Sequence, residues 1–241
     1  MSQPVVTVNG KEAGKWAYGY NAFRIDITPF IQFGKSNLIE VHLNNVEESS
    51  RWYPGGGLYR PVSVELYGNE NFSTWDTFVR TLKADKQEAE VEVNALLEGK
   101  AGKSGKTVIA LFDEAGKKVA EQTVSGATSQ IKTTLKVANP QLWSPESPYL
   151  YQVKLTRYEG KKVADVQTLK TGIRIISVSK EYGFQLNGVT RKLKGVCLHH
   201  DLGPLGAAEN KAALIRQIKM MKQMGCDAIR TAHNMPSTLQ M

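Results

Sequence analysis

Two groups of polar side chains near the C-terminal end of the chain have the residue types needed to bind a hydroxylated ligand. The first is the His-His-Asp run at positions 199–201, and the second consists of Arg230, His233 and Asn234. Imidazole and amide groups exchange hydrogen bonds with hydroxyl groups. A guanidinium such as that of Arg230 favours the ionised form of a neighbouring carboxyl group. These residue types therefore suit a site for a polyhydroxylated ligand beside a carboxylate.

The elements that must position these groups form a strand–helix–strand pattern. Short apolar strands are predicted at 192–196 and 226–230, and one of the two groups follows each of them. Between the strands, Asn210 can cap an amphipathic helix, and Gly225 stands where a left-handed stop is needed. Parallel strands require such a crossover. The pattern predicts the first one to two βα units of a (β/α)8 TIM barrel, a fold in which the loops after the strands carry the chemistry.

Because parallel neighbours end at the same edge of a sheet, we expect His199 and His233 to face one cavity. A zinc site is a competing hypothesis for a His-His-Asp run with a further histidine. Successive side chains of an extended strand point to opposite faces, so only one of His199 and His200 could share a metal with His233. We therefore predict no metal and no cofactor.

The middle of the chain, residues 71–177, is predicted to form a self-sufficient all-β domain. Its candidate strands cover residues 78–82, 89–97, 107–112, 118–124, 130–137, 150–158 and 163–170. Turn residues separate them at intervals of roughly ten residues, which is typical of an immunoglobulin-like β-sandwich. No cysteine lies in this region, so apolar packing alone must hold the sheets together.

The first 70 residues predict only part of a β-domain. Apolar residues alternate at 5–8, 23–27, 38–43 and 62–66, and Asn9-Gly10 is a type I′ hairpin signal. About four strands are too few for a closed all-β domain. We therefore expect further strands of this domain to precede the chain.

Composition argues against several classes of function. The formal net charge is +8, but the lysines are scattered over turns and strand edges, and no basic recognition helix accompanies them. We therefore predict no nucleic-acid partner. No apolar stretch reaches membrane-spanning length, so no membrane partner is expected. Cys197 and Cys226 are too few for a disulfide framework and are predicted to be small buried residues.

Motifs along the whole chain resemble those of glycoside hydrolase family 2, the family of β-galactosidase, β-glucuronidase and β-mannosidase. The first two regions carry them at residues 8–10, 23–28, 50–62, 139–151 and 172–174. The C-terminal region carries them at residues 186–188, 194–196, His199 and the Ile-Arg-Thr-Ala-His signature at 229–233. The resemblance therefore extends over the chain in order.

The resemblance implies a mainly β fold with three domains. Residues 1–70 would be the C-terminal half of a jelly-roll sugar-binding domain, residues 71–177 the immunoglobulin-like sandwich, and residues 178–241 the start of a truncated TIM-barrel catalytic domain. The family's mechanism is retaining: one glutamate protonates the glycosidic oxygen, and another forms a glycosyl-enzyme intermediate. Both would lie beyond Met241, so the chain is expected to hold no catalytic residue and to be inactive alone.

Roles for individual residues follow from the matched motifs. His199 and His233 would contact sugar hydroxyl groups, and Arg230 would orient the nucleophile. Arg51, on the jelly-roll loop that faces the barrel mouth in the family, and Asn234 are further candidates for substrate binding. The expected partner is an oligosaccharide or β-glycoside, most of all a β-galactoside, and association into a homo-oligomer stays open.

Two departures from the family's pattern bear on which sugar is bound. Asn234-Met235-Pro236 stands where Tyr-Pro usually follows the signature histidine, and Cys197-Leu198 stands where Asn-Arg is usual. The alternative function is a non-catalytic carbohydrate-binding or interaction module of β-sandwich type, which would have no use for the strand–helix–strand region. The sequence leaves the compartment open, with the periplasm or the cell exterior favoured over the cytoplasm.

Overall fold

The computed structural model describes residues 2–45, 57–99, 105–126, 128–199, 202–231 and 233–241. The chain is mainly β, as predicted. Its strands are β1 (Ser2–Val8), β2 (Lys11–Lys15), β3 (Ile39–Asn44), β4 (Glu70–Phe72), β5 (Phe78–Ala84), β6 (Glu88–Gly99), β7 (Gly105–Phe112), β8 (Lys118–Ser125), β9 (Gln130–Ala138), β10 (Tyr151–Glu159), β11 (Lys162–Thr171), β12 (Ile176–Ser179), β13 (Gly183–Leu186), β14 (Val189–Thr190), β15 (Gly195–Cys197) and β16 (Ala228–Arg230). An α-helix, α1, covers Lys211–Gln223, and 3₁₀ turns cover Thr28–Phe30 and Gly203–Leu205.

The chain divides into two compact units. The central unit comprises residues 65–192, and the terminal unit combines residues 1–64 with residues 193–241. The division into domains at residues 70 and 177 stays a prediction. Within the described ranges, no helix has the length and the apolar character needed to cross a bilayer.

The central unit is a sandwich of two sheets. One sheet has the order β11-β10-β7-β8, and in the other β6 pairs with β4, β5 and β9. Every strand predicted between residues 78 and 170 is confirmed, with small differences at the ends. Buried apolar side chains from both sheets form one core, and they include Val91, Val93, Ile109, Leu111, Ile131, Leu135, Val153 and Leu155. Alternation along each strand directs these residues to the shared face.

A buried ion pair crosses the edge of this core. Arg157 is 0% exposed and its Nη2 lies 2.8 Å from Oε1 of Glu70, whose side chain is 3% exposed. The other terminal nitrogen of Arg157 donates to the hydroxyl of Thr107 at 3.3 Å. Gly105 makes room for the guanidinium, because a Cβ at that position would lie 2.0 Å from Nη2. A buried charge is tolerated only when it is paired and hydrogen-bonded in this way.

A small antiparallel sheet, β12-β13-β14, is fastened to a loop of the central unit. Its Asn-Gly turn has positive φ at Asn187 and Gly188, 51° and 78°. The side-chain amide of Asn187 donates to the carbonyl of Trp143 at 3.1 Å. Arg191, just after the sheet, donates to Glu146 on the same loop, and these hydrogen bonds lower the pKa of the Glu146 carboxyl to about 2.

In the terminal unit, β1, β2 and β3 form a three-stranded sheet with the order β2-β1-β3. Positive φ values of 51° at Asn9 and 77° at Gly10 confirm the predicted hairpin turn. Val6 and Val8 are buried on one face of β1. On the same face, the side chain of Ile25 lies so close to Gly14 that a Cβ there would meet it at 3.0 Å.

The strands predicted at 23–27 and 62–66 are wrong. In the first segment, the side chain of Asp26 accepts a hydrogen bond from the amide of Thr28 at 2.9 Å and turns the chain into a 3₁₀ turn. In the second, Val62 and Leu66 are 71% and 90% exposed. Apolar alternation gives a strand only where another strand supplies hydrogen-bond partners, and within the described residues no strand pairs with either segment.

The C-terminal part of the terminal unit is the predicted strand–helix–strand arrangement. β15 and β16 pair in parallel, and α1 connects them. Asn210 caps the helix by accepting a hydrogen bond of 3.1 Å from a first-turn amide, and Gly225 ends it at a φ of 86°. Gly195 allows the two strands to approach, because a Cβ there would lie 2.6 Å from the carbonyl oxygen of Ala228. Leu214 is the buried residue of α1.

Candidate functional site

The parallel strands bring the two predicted histidines together. Cys197, at the end of β15, is the register partner of Arg230, at the end of β16. The loops that follow start side by side, and the ring centroids of His199 and His233 lie 6.0 Å apart at an interplanar angle of 65°. His233 is exposed and His199 is half-buried. Two imidazoles therefore converge at the same edge of the sheet.

Arg230 lies next to this pair and fixes how His233 presents its ring. Its Nη2 is 3.3 Å from Nδ1 of His233. A guanidinium has only donors, so the contact requires a lone pair on Nδ1. In this tautomer the neutral ring carries its proton on Nε2, which is therefore a hydrogen-bond donor. The arginine thus selects a donating tautomer of His233.

Cys197 completes the edge of the site and corrects one prediction. Its thiol is exposed rather than buried, and Nη1 of Arg230 lies 3.9 Å from its sulfur. Cys226 is half-buried. The error has a simple cause: apolar neighbours at 196 and 198 suggest a buried strand, but alternation along β15 turns residue 197 to the open face.

Asn234 is held by a residue that sequence reasoning did not single out. The hydroxyl of Tyr18 donates to Oδ1 of Asn234 across 216 positions of sequence. The next residue of the loop, Met235, accepts a hydrogen bond of 2.5 Å through its carbonyl oxygen from Nη2 of Arg60. Both Tyr18 and Arg60 come from the N-terminal segment of the terminal unit, so two separate bonds fasten the loop after β16.

Three tyrosines form a row that ends at Arg60. The ring centroids of Tyr18 and Tyr20 are 5.7 Å apart, and those of Tyr20 and Tyr59 are 6.3 Å apart. The guanidinium carbon of Arg60 lies 5.3 Å from the centre of the Tyr59 ring. Burial raises the pKa of Tyr59, which keeps its hydroxyl protonated, and that hydroxyl donates to the carbonyl of Tyr20 at 3.2 Å. In the sequence, the one feature that points to this row is the alternation of aromatic residues at positions 16, 18 and 20.

A small cavity lies beside His199. Its volume is about 20 Å³, and Glu209, Gln217 and Gln240 are among the residues that line it. Oε2 of Glu209 is buried and has no hydrogen-bond partner within the described residues. Ligand sites usually measure about 300–1,000 Å³, so this cavity is too small to hold a sugar-sized ligand.

A wider groove lies elsewhere in the terminal unit, on the sheet β2-β1-β3. It measures about 780 Å³ and is lined by Val5, Lys15, Trp16 and His42, among others. Trp16 is 41% exposed. None of the lining residues belongs to the histidine site.

Several predicted site residues fall outside the described residues, namely Arg51, His200 and Asp201. Among the residues that the structure does describe, no group of three or more His, Cys, Asp or Glu side chains could hold a metal ion. The structure therefore brings together His199, His233 and Arg230 of the predicted site, whereas the side chain of Asn234, the next residue after His233, binds Tyr18.

Comparison with known proteins finds relatives along the whole chain. Residues 73–174 match the model for glycosyl hydrolases family 2. Over 240 residues, which cover 96% of the chain, the sequence is 36% identical to β-galactosidase BoGH2A of Bacteroides ovatus. Over nearly its whole length the chain resembles members of glycoside hydrolase family 2. The resemblance seen in the sequence motifs is thus confirmed.

Other members of family 2 give the same result. A β-glucuronidase of Bacteroides fragilis is 28% identical over 247 residues, covering 95% of the chain. The crystal structure of a family 2 member from Bacteroides cellulosilyticus covers 99% of the chain with a TM-score of 0.93 and 38% identity. The chain spans 28% and 35% of the two curated relatives and 34% of the crystallised protein.

Proposed function

We propose that this chain is a segment of a longer retaining exo-β-glycosidase, here called the parent enzyme, and that it supplies sugar-binding groups to the active site. The observation that carries the proposal is the convergence of His199 and His233 at the ends of two parallel strands, 6.0 Å apart. The proposed reaction of the parent enzyme is hydrolysis of terminal β-linked sugars.

The proposal assigns each region a place in the parent enzyme. Residues 178–241 start a (β/α)8 barrel, and the parallel pairing of β15 with β16 around α1 supports this. Residues 71–177 are the immunoglobulin-like domain, supported by the two-sheet core of the central unit. Residues 1–70 are the C-terminal half of a jelly-roll domain, for which the sheet β2-β1-β3 is the support.

The site residues have two proposed roles, binding of sugar hydroxyl groups and electrostatic stabilisation of a carboxylate. His199, Asn234 and the Nε2–H of His233 bind sugar hydroxyl groups, and Arg230 holds the nucleophilic carboxylate in its ionised form. Arg51 is a further substrate contact in the proposal. The sugar is thereby oriented while one carboxyl group protonates the glycosidic oxygen and the other attacks the anomeric carbon.

The two carboxylates of the retaining mechanism come from the parent enzyme beyond Met241. Retaining enzymes need them about 5–5.5 Å apart across the scissile bond. Of the carboxylates near β15 and β16, Asp227 accepts the amide of Lys194 at 2.8 Å, which is a structural role. Glu209 lines the small cavity beside His199 rather than a strand end. Neither is placed as an acid or a nucleophile.

A β-galactoside is the proposed substrate, and a β-glucuronide is the competitor because relatives carry both names. A glucuronide adds a carboxylate that needs its own cation. The described cation that contacts His233, Arg230, is already assigned to the nucleophilic carboxylate in this proposal. The arrangement therefore favours a neutral sugar.

The test compares aryl β-galactoside and aryl β-glucuronide hydrolysis by the parent enzyme, with the anomer formed first identified by NMR. We expect the galactoside to be cleaved faster, with the β-anomer released first. The 241-residue chain should release no phenol above its own His233→Ala variant. Absence of hydrolysis by the parent enzyme, or α-anomer released first, would contradict the proposal.

The groove at Trp16 supports a second candidate function, non-catalytic carbohydrate binding. An exposed indole is a typical platform for a sugar face, and polar side chains of the groove stand beside it. Calorimetric titration of the chain with a galactose-containing oligosaccharide tests this. Binding lost in Trp16→Ala but kept in Trp75→Ala, which changes an exposed tryptophan of the central unit, would favour the second candidate.

A further inference from the structure

The bond between Tyr18 and Asn234 joins two parts of the terminal unit that are far apart in sequence. Tyr18 donates its hydroxyl hydrogen to Oδ1 of Asn234, although its ring is 46% exposed. A tyrosine with only a packing role would be buried, and any nearby acceptor could satisfy its hydroxyl group. Here the hydroxyl meets a residue next to His233 in the candidate sugar site.

The row of tyrosines limits where that hydroxyl can be. Tyr18 packs on Tyr20, Tyr20 packs on Tyr59, and the hydroxyl of Tyr59 binds the carbonyl of Tyr20. The neighbour of Tyr59, Arg60, binds the carbonyl of Met235. The tyrosines and Arg60 therefore bind two successive residues of the loop after β16. Tyr18 binds the side chain of Asn234, and Arg60 binds the backbone carbonyl of Met235.

Fixing Oδ1 of Asn234 decides which chemistry the amide offers. An asparagine side chain has an acceptor oxygen and a donor NH₂ group, and a free one can exchange them by rotation. With the oxygen occupied by Tyr18, the NH₂ group is the part left for a ligand. It then matches the donating tautomer of His233, so neighbouring side chains both offer hydrogens to sugar oxygens.

We propose that Tyr18 is a positioning residue of the sugar site, which sets Asn234 as a hydrogen-bond donor and holds the loop that carries His233. The inference rests on the proposed glycosidase function and extends it to a residue outside the strand–helix–strand region. Tyr18 acts through Asn234 and does not itself touch the reacting atoms.

The kinetic test is Tyr18→Phe in the parent enzyme, which removes the hydroxyl and keeps the ring. We expect kcat/KM for an aryl β-galactoside to fall about tenfold, the equivalent of one lost hydrogen bond. The loss should appear mainly in KM, because a contact remote from the scissile bond is made in ground and transition states alike. In an Asn234→Ala background, Tyr18→Phe should have almost no further effect.

The matched control is Tyr149→Phe. The hydroxyl of Tyr149 accepts a hydrogen bond of 3.1 Å from the amide of Glu114 in the central unit, so this variant also loses one hydroxyl contact. Its kcat/KM should stay within about twofold of the wild type. An unchanged kcat/KM in Tyr18→Phe, or a loss that persists in full with Asn234→Ala, would overturn the proposal.

A second measurement separates this inference from the glycosidase proposal. Amide hydrogen exchange at residues 233–235 of the 241-residue chain should be several-fold faster in Tyr18→Phe and unchanged in Tyr149→Phe. If the parent enzyme cleaves no β-glycoside, the proposed function fails, and the exchange rates alone decide whether Tyr18 holds the loop. Equal exchange in the wild type and Tyr18→Phe would refute that hold.

Discussion

Arg157 and Arg230 show how the two units of the chain differ. In the central unit, Arg157 is fully buried and paired with buried Glu70. In the terminal unit, Arg230 is exposed and contacts His233 and Cys197. Removing one partner of a buried pair leaves an uncompensated charge and lowers the stability of the unit, whereas an exposed cation beside a histidine remains accessible to a ligand. The central unit thus buries its cation in an ion pair, and the terminal unit leaves its cation at the surface.

The same contrast holds for apolar packing. Both sheets of the central unit contribute to one core in which most strand residues facing inward are 0–2% exposed. In the terminal unit, α1 buries Leu214 but leaves Ile215 44% and Ile218 38% exposed.

The largest effect is expected from breaking the buried pair. Glu70→Ala leaves the guanidinium of Arg157 buried without its carboxylate, and we expect a loss of about 3–5 kcal/mol in the free energy of unfolding. Glu88→Ala removes an exposed pair with Lys83 and should lower the free energy of unfolding far less, because exposed pairs are screened by water. Urea unfolding of both variants measures the difference. Equal losses would remove the distinction between buried and exposed charge.

Exchange rates sharpen the comparison between units. Amides of β6, β7, β9 and β10 should be protected at least about a hundredfold more than those of β15 and β16, because the latter strands open without disrupting the core. Hydrogen exchange followed by mass spectrometry measures both in one sample. Similar protection in the two units would mean that the terminal unit is as stable as the sandwich.

A conservative substitution of Arg230 tests its proposed role in the activity of the parent enzyme. Arg230→Lys keeps the charge but loses the fork that reaches both His233 and Cys197. We expect kcat/KM of the parent enzyme to fall at least tenfold, while the free energy of unfolding changes by no more than about 0.5 kcal/mol, as for other exposed positions. A large loss of stability with full activity would reverse the assignment.

The smallest expected effect is a dependence on pH of the ion pair between Glu146 and Arg191. The pKa of Glu146 is lowered from 4.5 to about 2 because Arg191 donates hydrogen bonds to its carboxylate. A carboxyl group with a lowered pKa stabilises the fold above its unfolded pKa, and this contribution disappears as pH falls towards the folded value. The sheet β12-β13-β14 should therefore loosen between pH 4.5 and about 2.

NMR titration of the Glu146 carboxyl checks this pH dependence. Arg191→Ala serves as the control, and in that variant the pKa of Glu146 should return towards its ordinary value of 4.5. A pKa that is the same in wild type and variant would show that Arg191 does not cause the shift.

Local signals made much of the fold predictable. The Asn9-Gly10 turn, the strands between residues 78 and 170, and the capped helix after Asn210 each depend on residues close in sequence. The histidine convergence followed from one general property, that parallel strands end at the same edge. These predictions needed no knowledge of distant contacts.

Long-range contacts account for what the sequence did not reveal. Alternation at 62–66 looked like a strand, yet pairing depends on a partner that no local pattern identifies. The hydrogen bond from Tyr18 to Asn234 joins residues 216 positions apart. The aromatic residues around Tyr18 give no indication of which residue its hydroxyl group binds. Arg51 stays a prediction, since it lies outside the described residues.

The most direct test of the account is the activity of the parent enzyme with each histidine changed singly. His199→Ala and His233→Ala should both lower kcat/KM for an aryl β-galactoside by at least tenfold, because each removes a hydrogen bond to the same sugar. His42→Ala, which changes an exposed histidine on β3, should leave it unchanged. Full activity after the loss of either His199 or His233 would contradict the claim that the two rings form one sugar site.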